Sequence, residues 1–196
     1  MVQTRRLVLA STSPYRRQLL ARLGVAFECA APGVEEATLA GEPPARTAAR
    51  LADLKAAAVS PNHPDALIIG SDQVAVLGDR QLGKPGNYAN ALAQLRAASG
   101  RSVDFHTAVC VMDARSGERR SRVVPCRVTF RKLTESQMTA YLLREQPYDC
   151  AGSAKSEGLG IALIERIDTE DPTSLVGLPL IALSDLLAES GMPVLG

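Results

Sequence analysis

A short apolar run, Leu7-Val8-Leu9-Ala10, leads almost directly into Ser13-Pro14, and this junction constrains the fold more than any other feature of the chain. Consecutive apolar residues without polar alternation suit a strand covered on both faces. Serine is a preferred helix N-cap and proline a preferred first helical residue. The spacing therefore predicts a helix over Pro14 to Leu23, with Leu19, Leu20 and Leu23 on one face and Gly24 past its end. A buried strand feeding a helix is the opening of an α/β fold.

The rest of the chain continues that alternation. Val25 to Ala30 reads as a strand, residues 46 to 58 as an Ala-rich helix, and Ala66 to Gly70 as a second buried strand with Asp72 just beyond it. Val74 to Leu77 and Gln81-Leu82 read as a hairpin around Gly78-Asp79, followed by a helix over Tyr88 to Ala98 that stops at Ser99-Gly100. Residues 103 to 113 and 122 to 132 form a longer hairpin through Ser116-Gly117, and Thr134 with Gln137 makes a capping-box start for a helix reaching Glu145. A loop from Gly152 to Gly160, a strand from Ile161 to Ile167 and a helix from Pro179 to Glu189 complete the pattern. Hairpins among the strand-helix units predict a mixed sheet flanked by helices rather than a purely doubly wound one. At 196 residues and 46% hydrophobic content, the expectation is one domain over 1–196.

Charge and composition narrow the function. Lys plus Arg total 22 against 21 for Asp plus Glu, so no global positive field holds a nucleic acid, and any anion must be bound locally. With no Trp and 4% aromatic residues the chain also lacks a base-stacking platform. Cys29, Cys110, Cys126 and Cys150 are widely spaced, with only His63 and His106 to join them, which argues against zinc and for free thiols in a reducing compartment. Arg5-Arg6 before the apolar run resembles an export signal, but the run ends at Ser11, short of the roughly 7 to 15 residues such a signal needs. No later segment reads as a membrane span, so the expected location is the cytoplasm.

Several local features bear on chemistry. Arg16 and Arg17 sit in the first turn of the Ser13-Pro14 helix, where positive charge opposes the helix dipole. A phosphate bound by that helix end and the guanidiniums reverses the sign of the cost, with two solvated arginines as the ordinary alternative. Asp72, following the run Ala66 to Gly70, stands where a carboxylate could hold a divalent cation or activate water, or simply form a turn at a strand exit. Lys55 shares a helical face with Ala48, Leu51 and Ala52, so its ammonium should emerge at the rim of the core. Glu35-Glu36 and Lys84 lie in turn-like stretches where solvated charge is the ordinary explanation. Gly78 to Lys84 fits the spacing of a phosphate-binding P-loop, but Pro85 replaces the required Ser or Thr and the context is a hairpin. Gly152 to Gly158 is a glycine-rich loop carrying Glu157.

Taken together, Ala10-Ser11-Thr12-Ser13-Pro14-Tyr15-Arg16-Arg17, Gly70-Ser71-Asp72-Gln73, Gly83-Lys84-Pro85, Ala151-Gly152-Ser153 with Glu157-Gly158, and Leu175-Val176-Gly177-Leu178-Pro179 resemble the Maf family of nucleotide pyrophosphatases. The resemblance runs from Leu7 to about Leu187. It implies a fold related to the inosine triphosphate pyrophosphatases, with an elongated mixed sheet and two lobes around a central cleft. It implies phosphate contacts from Ser11, Ser13 and Arg16, functional charges at Glu36, Lys55, Asp72 and Lys84, Asp72 as the catalytic acid, and Mg²⁺ or Mn²⁺ held by Glu36 and Asp72. Three positions distinguish the family's substrates: the branch resembling dTTP and UTP hydrolases has Arg, Thr and Gln, whereas Tyr15, Gln73 and Glu157 here resemble the 7-methyl-GTP branch, whose aromatic position is often Trp. The expected partner is thus a small-molecule nucleotide, with the oligomeric state open to a homodimer. The competing expectations are a broader pyrophosphatase of noncanonical purine nucleotides or of dTTP and UTP, and a non-catalytic nucleotide-binding regulator of septum formation.

Overall fold

The computed structural model describes residues 5–195. Its secondary structure is α/β, with a seven-stranded sheet in the order β2-β1-β3-β5-β6-β7 and β4 added against β3. The strands are β1 (Leu7–Leu9), β2 (Glu28–Cys29), β3 (Leu67–Leu77), β4 (Arg80–Leu82), β5 (Ser102–Asp113), β6 (Arg119–Phe130) and β7 (Ile164–Thr169). The helices are α1 (Pro14–Ala21), α2 (Pro44–Val59), α3 (Tyr88–Ala98), α4 (Glu135–Glu145) and α5 (Leu180–Glu189). The sheet is mixed, as the interspersed hairpins predict: β1 pairs parallel with β2 and β3, while β3–β4 and β6–β7 pair antiparallel. The chain divides into two compact units, one comprising residues 1–73, 107–124 and 171–196, the other residues 74–106 and 125–170.

In the first unit, β1 is fully buried and aligned with β3 through the pairs Leu7 with Leu67, Val8 with Ile68 and Leu9 with Ile69. Its core joins Leu7, Leu9, Leu67 and Ile69 from the sheet to Leu19 and Leu20 of α1, and to Leu183, Leu186 and Leu187 of α5. Helix α2 buries Ala48, Leu51, Ala52, Lys55, Ala56 and Val59, the i, i+3, i+4 stripe of a core-facing helix. That helix lies unusually close to β3. A Cβ built on Gly70 would fall 2.0 Å from the Ala52 carbonyl oxygen and 3.0 Å from the Ala56 amide, so only glycine admits the approach.

In the second unit, Thr134 and Gln137 form the expected capping box at the start of α4, and α3 packs against α4. Strands β3 and β4 close around Gly78, which has φ +61°, so Lys84 follows a hairpin and not a phosphate-cradling strand-to-helix loop.

Three elements differ from the sequence reading. The strand expected over Val25 to Ala30 is only Glu28–Cys29, and Ile161 belongs to a 3-10 turn, Leu159–Leu163, that precedes β7. The turn follows from Gly160, where a Cβ would meet the Lys155 backbone at 2.5 Å, so the chain is still folded back on its own loop at that point. The third difference concerns Asp72, which lies inside β3 and not beyond its end, because the strand runs on through Gln73 to Leu77.

Candidate active site

A strand interior that carries Ser71, Asp72 and Gln73 in succession must satisfy three polar side chains, and all three find partners within the first unit. The Ser71 hydroxyl, fully buried, lies 2.8 Å from the Ala108 carbonyl and 2.9 Å from the Gly177 carbonyl. Gln73 Nε2 donates toward Thr107 Oγ1 at 2.9 Å and the Ser174 and Leu175 carbonyls at 3.0 and 3.1 Å, while Thr107 Oγ1 itself donates to Ser174 at 2.9 Å. Asp72, 7% exposed, accepts from Lys55 Nζ at 2.6 Å.

Lys55 is the pivot of the charge arrangement. Its ammonium is buried, with the side chain 4% exposed, and it meets Glu36 Oε1 at 2.7 Å as well as Asp72 Oδ1. The sequence places this ammonium at the rim of the core and away from open solvent, and there it is enclosed by carboxylates. The Gly70 approach brings α2 onto β3, and a loop carboxylate and a strand carboxylate converge on the ammonium instead of water. A buried ammonium without partners would cost several kcal/mol, so two carboxylates are what make its position tenable.

Arg16 joins the same cluster from α1. Its Nε donates to the Gly177 carbonyl at 2.8 Å, the oxygen that Ser71 also approaches. Burial lowers the pKa of its guanidinium, while the negative charges of Asp72 and Glu36 oppose that shift. Gly177 has φ +115°, a conformation closed to most side chains, and this aims its carbonyl at Arg16 and Ser71. The Gly177 segment is itself anchored by Asp171, 2% exposed, whose carboxylate accepts from Thr173 N and Oγ1 at 3.0 and 2.6 Å and from Ile181 N at 2.8 Å. Asp171 thus serves the start of α5, which Pro179 cannot cap through a side chain.

At the start of α1, Ser13 is extended and its hydroxyl accepts from Arg16 N at 3.4 Å, while Ser11 Oγ accepts from Ser13 N at 3.1 Å. Ser11, Thr12, Ser13, Pro14, Arg17 and Cys29 contribute to an open pocket of about 220 Å³. Hydroxyls, a helix N-terminus and a guanidinium around one pocket are a donor set for a phosphate group. Tyr15 is half-buried in the first turn of α1. In the second unit, Lys84 is exposed after β4, and Glu157 is exposed in the loop before Gly158.

The first unit therefore brings together Arg16, Glu36, Lys55 and Asp72, with Ser11, Ser13 and Arg17 around the pocket. Sequence reasoning missed the roles of Thr107, Asp171 and the Gly177 carbonyl. An aspartate with a hydroxyl two residues on, ahead of a helix whose N-cap is proline, is a signal that could have found Asp171.

A model of the Maf-like protein family matches residues 6–190 of the chain. The chain belongs to the Maf family. Among similar proteins, the 7-methyl-GTP pyrophosphatase of Cupriavidus metallidurans is 55% identical over 190 residues, covering 97% of this chain and 96% of that protein. The 7-methyl-GTP pyrophosphatase of Thiobacillus denitrificans is 57% identical, covering 96% and 94%, and that of Paraburkholderia xenovorans is 58% identical, covering 97% and 95%. In this Maf chain no helix among the described residues is long and apolar enough to cross a membrane.

The divalent cation that the Maf resemblance implies can be tested against the donor set. Among the described residues no group of three or more His, Cys, Asp and Glu side chains converges, so a cage built from the protein alone is absent there. Asp72 and Glu36 do converge, on the Lys55 ammonium. Two carboxylates fit the usual mode of Mg²⁺, which takes one or two protein carboxylates and completes its shell with substrate phosphates and water.

Proposed function

We propose that this chain is a nucleoside triphosphate pyrophosphatase that hydrolyses 7-methyl-GTP to 7-methyl-GMP and diphosphate, acting in the cytoplasm on the nucleotide pool. The observation that carries this reading is the buried Asp72–Lys55 pair, met from the surface by the exposed Glu36, on a chain 55 to 58% identical to relatives named 7-methyl-GTP pyrophosphatase. A protein that only binds nucleotide needs no acid held in place by a buried ammonium. A hydrolase does.

Cleavage between the α and β phosphates requires water to attack the α-phosphorus as diphosphate leaves, with negative charge growing on the departing oxygen. Ser11, Ser13 and Arg16 bind phosphate oxygens, and Lys55 and Lys84 neutralise charge on the triphosphate. Lys55 holds one oxygen of Asp72, so the carboxylate is fixed in orientation, and its other oxygen takes the proton from the attacking water. Glu36 and Asp72 would hold a Mg²⁺ or Mn²⁺ ion, which would supply further charge neutralisation at the phosphates.

Base selection falls to Tyr15, Gln73 and Glu157. Guanine offers two adjacent donors, N1–H and the exocyclic amine, which one carboxylate can accept together. Uracil and thymine present a single N3–H between two carbonyl oxygens, which a carboxylate repels. Methylation at N7 places positive charge on the purine and favours both the Glu157 anion and stacking on Tyr15.

A panel of 7-methyl-GTP, UTP, dTTP and inosine triphosphate with purified protein and Mg²⁺ or Mn²⁺ tests the reading. The highest kcat/KM is expected for 7-methyl-GTP, with diphosphate as co-product. A preference for inosine triphosphate or for the pyrimidines would replace the substrate, and tight binding without turnover would replace the enzyme by a regulator.

A further inference from the structure

The loop that carries Glu157 is built around a second acid, Glu145, that the mechanism above does not use. Glu145 ends α4 and is largely buried, its side chain 14% exposed. One carboxylate oxygen accepts from the Leu159 amide at 2.7 Å, and the other meets Lys155 Nζ at 3.0 Å. The two loop positions it grips lie on either side of Glu157. The loop is tightened further by the Lys155 amide, which donates to Tyr141 Oη at 3.0 Å.

Two glycines show how close this packing is. A Cβ on Gly158 would lie 2.8 and 2.9 Å from the two Glu145 carboxylate oxygens. A Cβ on Gly160 would lie 2.5 to 2.8 Å from the Lys155 backbone. Ser153, at the start of the loop, adopts φ +58° and donates to Gln94 Oε1 at 2.6 Å. The Leu159 amide and the Lys155 ammonium hold the Glu145 carboxyl below its ordinary pKa, so it is an anion at neutral pH. Glu157 itself is exposed, and its near contact, Ser156 Oγ at 3.5 Å, is too long to orient it. Beyond the charge of nearby Lys155, its placement comes from the backbone on either side.

We propose that Glu145 is a positioning residue for base selection: by clamping Lys155 and Leu159 it fixes the backbone that presents the Glu157 carboxylate to the guanine edge. The inference rests on the assignment of Glu157 to the base. A mobile loop would leave the same carboxylate present but spread over many positions, and a two-donor contact needs both oxygens in register. The effect of Glu145 on substrate choice is therefore exerted through Glu157.

A double-mutant cycle separates this from general stabilisation of the fold. The quantity read is the ratio of kcat/KM for 7-methyl-GTP to that for UTP, in wild type, Glu145→Ala, Glu157→Gln and the double variant. Glu157→Gln should lower the ratio about ten- to a hundredfold, as expected for loss of a charge-assisted hydrogen bond. Glu145→Ala should lower it about tenfold, mainly through KM for 7-methyl-GTP, and should have less than about a twofold effect in the Glu157→Gln background. Glu145→Gln, which keeps an acceptor for Leu159, should recover part of the loss and stands in if the alanine variant does not fold. An equal effect of Glu145→Ala in both backgrounds, or none, would overturn the inference while leaving the Glu157 assignment intact. An unchanged ratio in Glu157→Gln would instead remove the assignment on which it rests.

Discussion

At the scale of single residues, catalysis turns on Asp72. A carboxylate in the middle of a strand, beside a fully buried Ser71 and packed under α2, would be a liability without a counter-charge, and Lys55 supplies one at 2.6 Å. Replacing Asp72 by Asn keeps an oxygen for the ammonium, and Glu36 at 2.7 Å continues to neutralise it, so the fold should survive with a modest loss of stability. Turnover should not survive, because an amide cannot take a proton from water. Asp72→Asn is expected to lower kcat by about 10² to 10⁴ while its circular dichroism spectrum stays that of wild type. Wild-type kcat in a folded variant would refute the catalytic role.

At the scale of elements, the site depends on how closely α2 approaches β3. The approach is permitted by Gly70, whose missing side chain leaves room for the Ala52 carbonyl, and it is what sets Lys55 over Asp72. Gly70→Ala must push the helix away, since the new methyl would otherwise lie 2.0 Å from that oxygen. Overpacking of this kind typically costs about 1–3 kcal/mol, and more where backbone is the obstacle. Denaturant melts should show that loss, and kcat should fall further than KM rises, because the phosphate pocket at α1 does not depend on Gly70. Wild-type stability and activity in Gly70→Ala would contradict the packing argument. The same element shows what the sequence made legible. The start of α1 was readable from Ser13-Pro14, and the α4 capping box from Thr134 and Gln137, because both rules are local. The full extent of β3 was not, since Ser71, Asp72 and Gln73 are satisfied by Ala108, Gly177, Lys55, Thr107 and Ser174, all remote in sequence. The burial of Lys55 was hidden for the same reason, and Glu36 was readable only through the Maf motifs.

At the scale of the whole molecule, long-range charge pairs and the overall reaction make separate predictions. Arg5, just before β1, grips Asp113 at the end of β5 with both terminal nitrogens, at 2.6 and 2.8 Å, and this holds the Asp113 carboxyl down at about 2. A depressed folded-state pKa contributes stability above the unfolded value near 4 that is lost as pH falls through about 2. Asp113→Asn should therefore cost about 1–2 kcal/mol at pH 7, after allowance for partial exposure, and the gap to wild type should close between roughly pH 4 and pH 2. A gap that is constant with pH would show that the pair does not act through its charge. Attack of water on the α-phosphorus of the nucleoside triphosphate can be followed by hydrolysing 7-methyl-GTP in ¹⁸O-labelled water and weighing the products. One ¹⁸O is expected in 7-methyl-GMP and none in diphosphate; label in diphosphate, or release of 7-methyl-GDP and free phosphate, would contradict attack at the α-phosphorus.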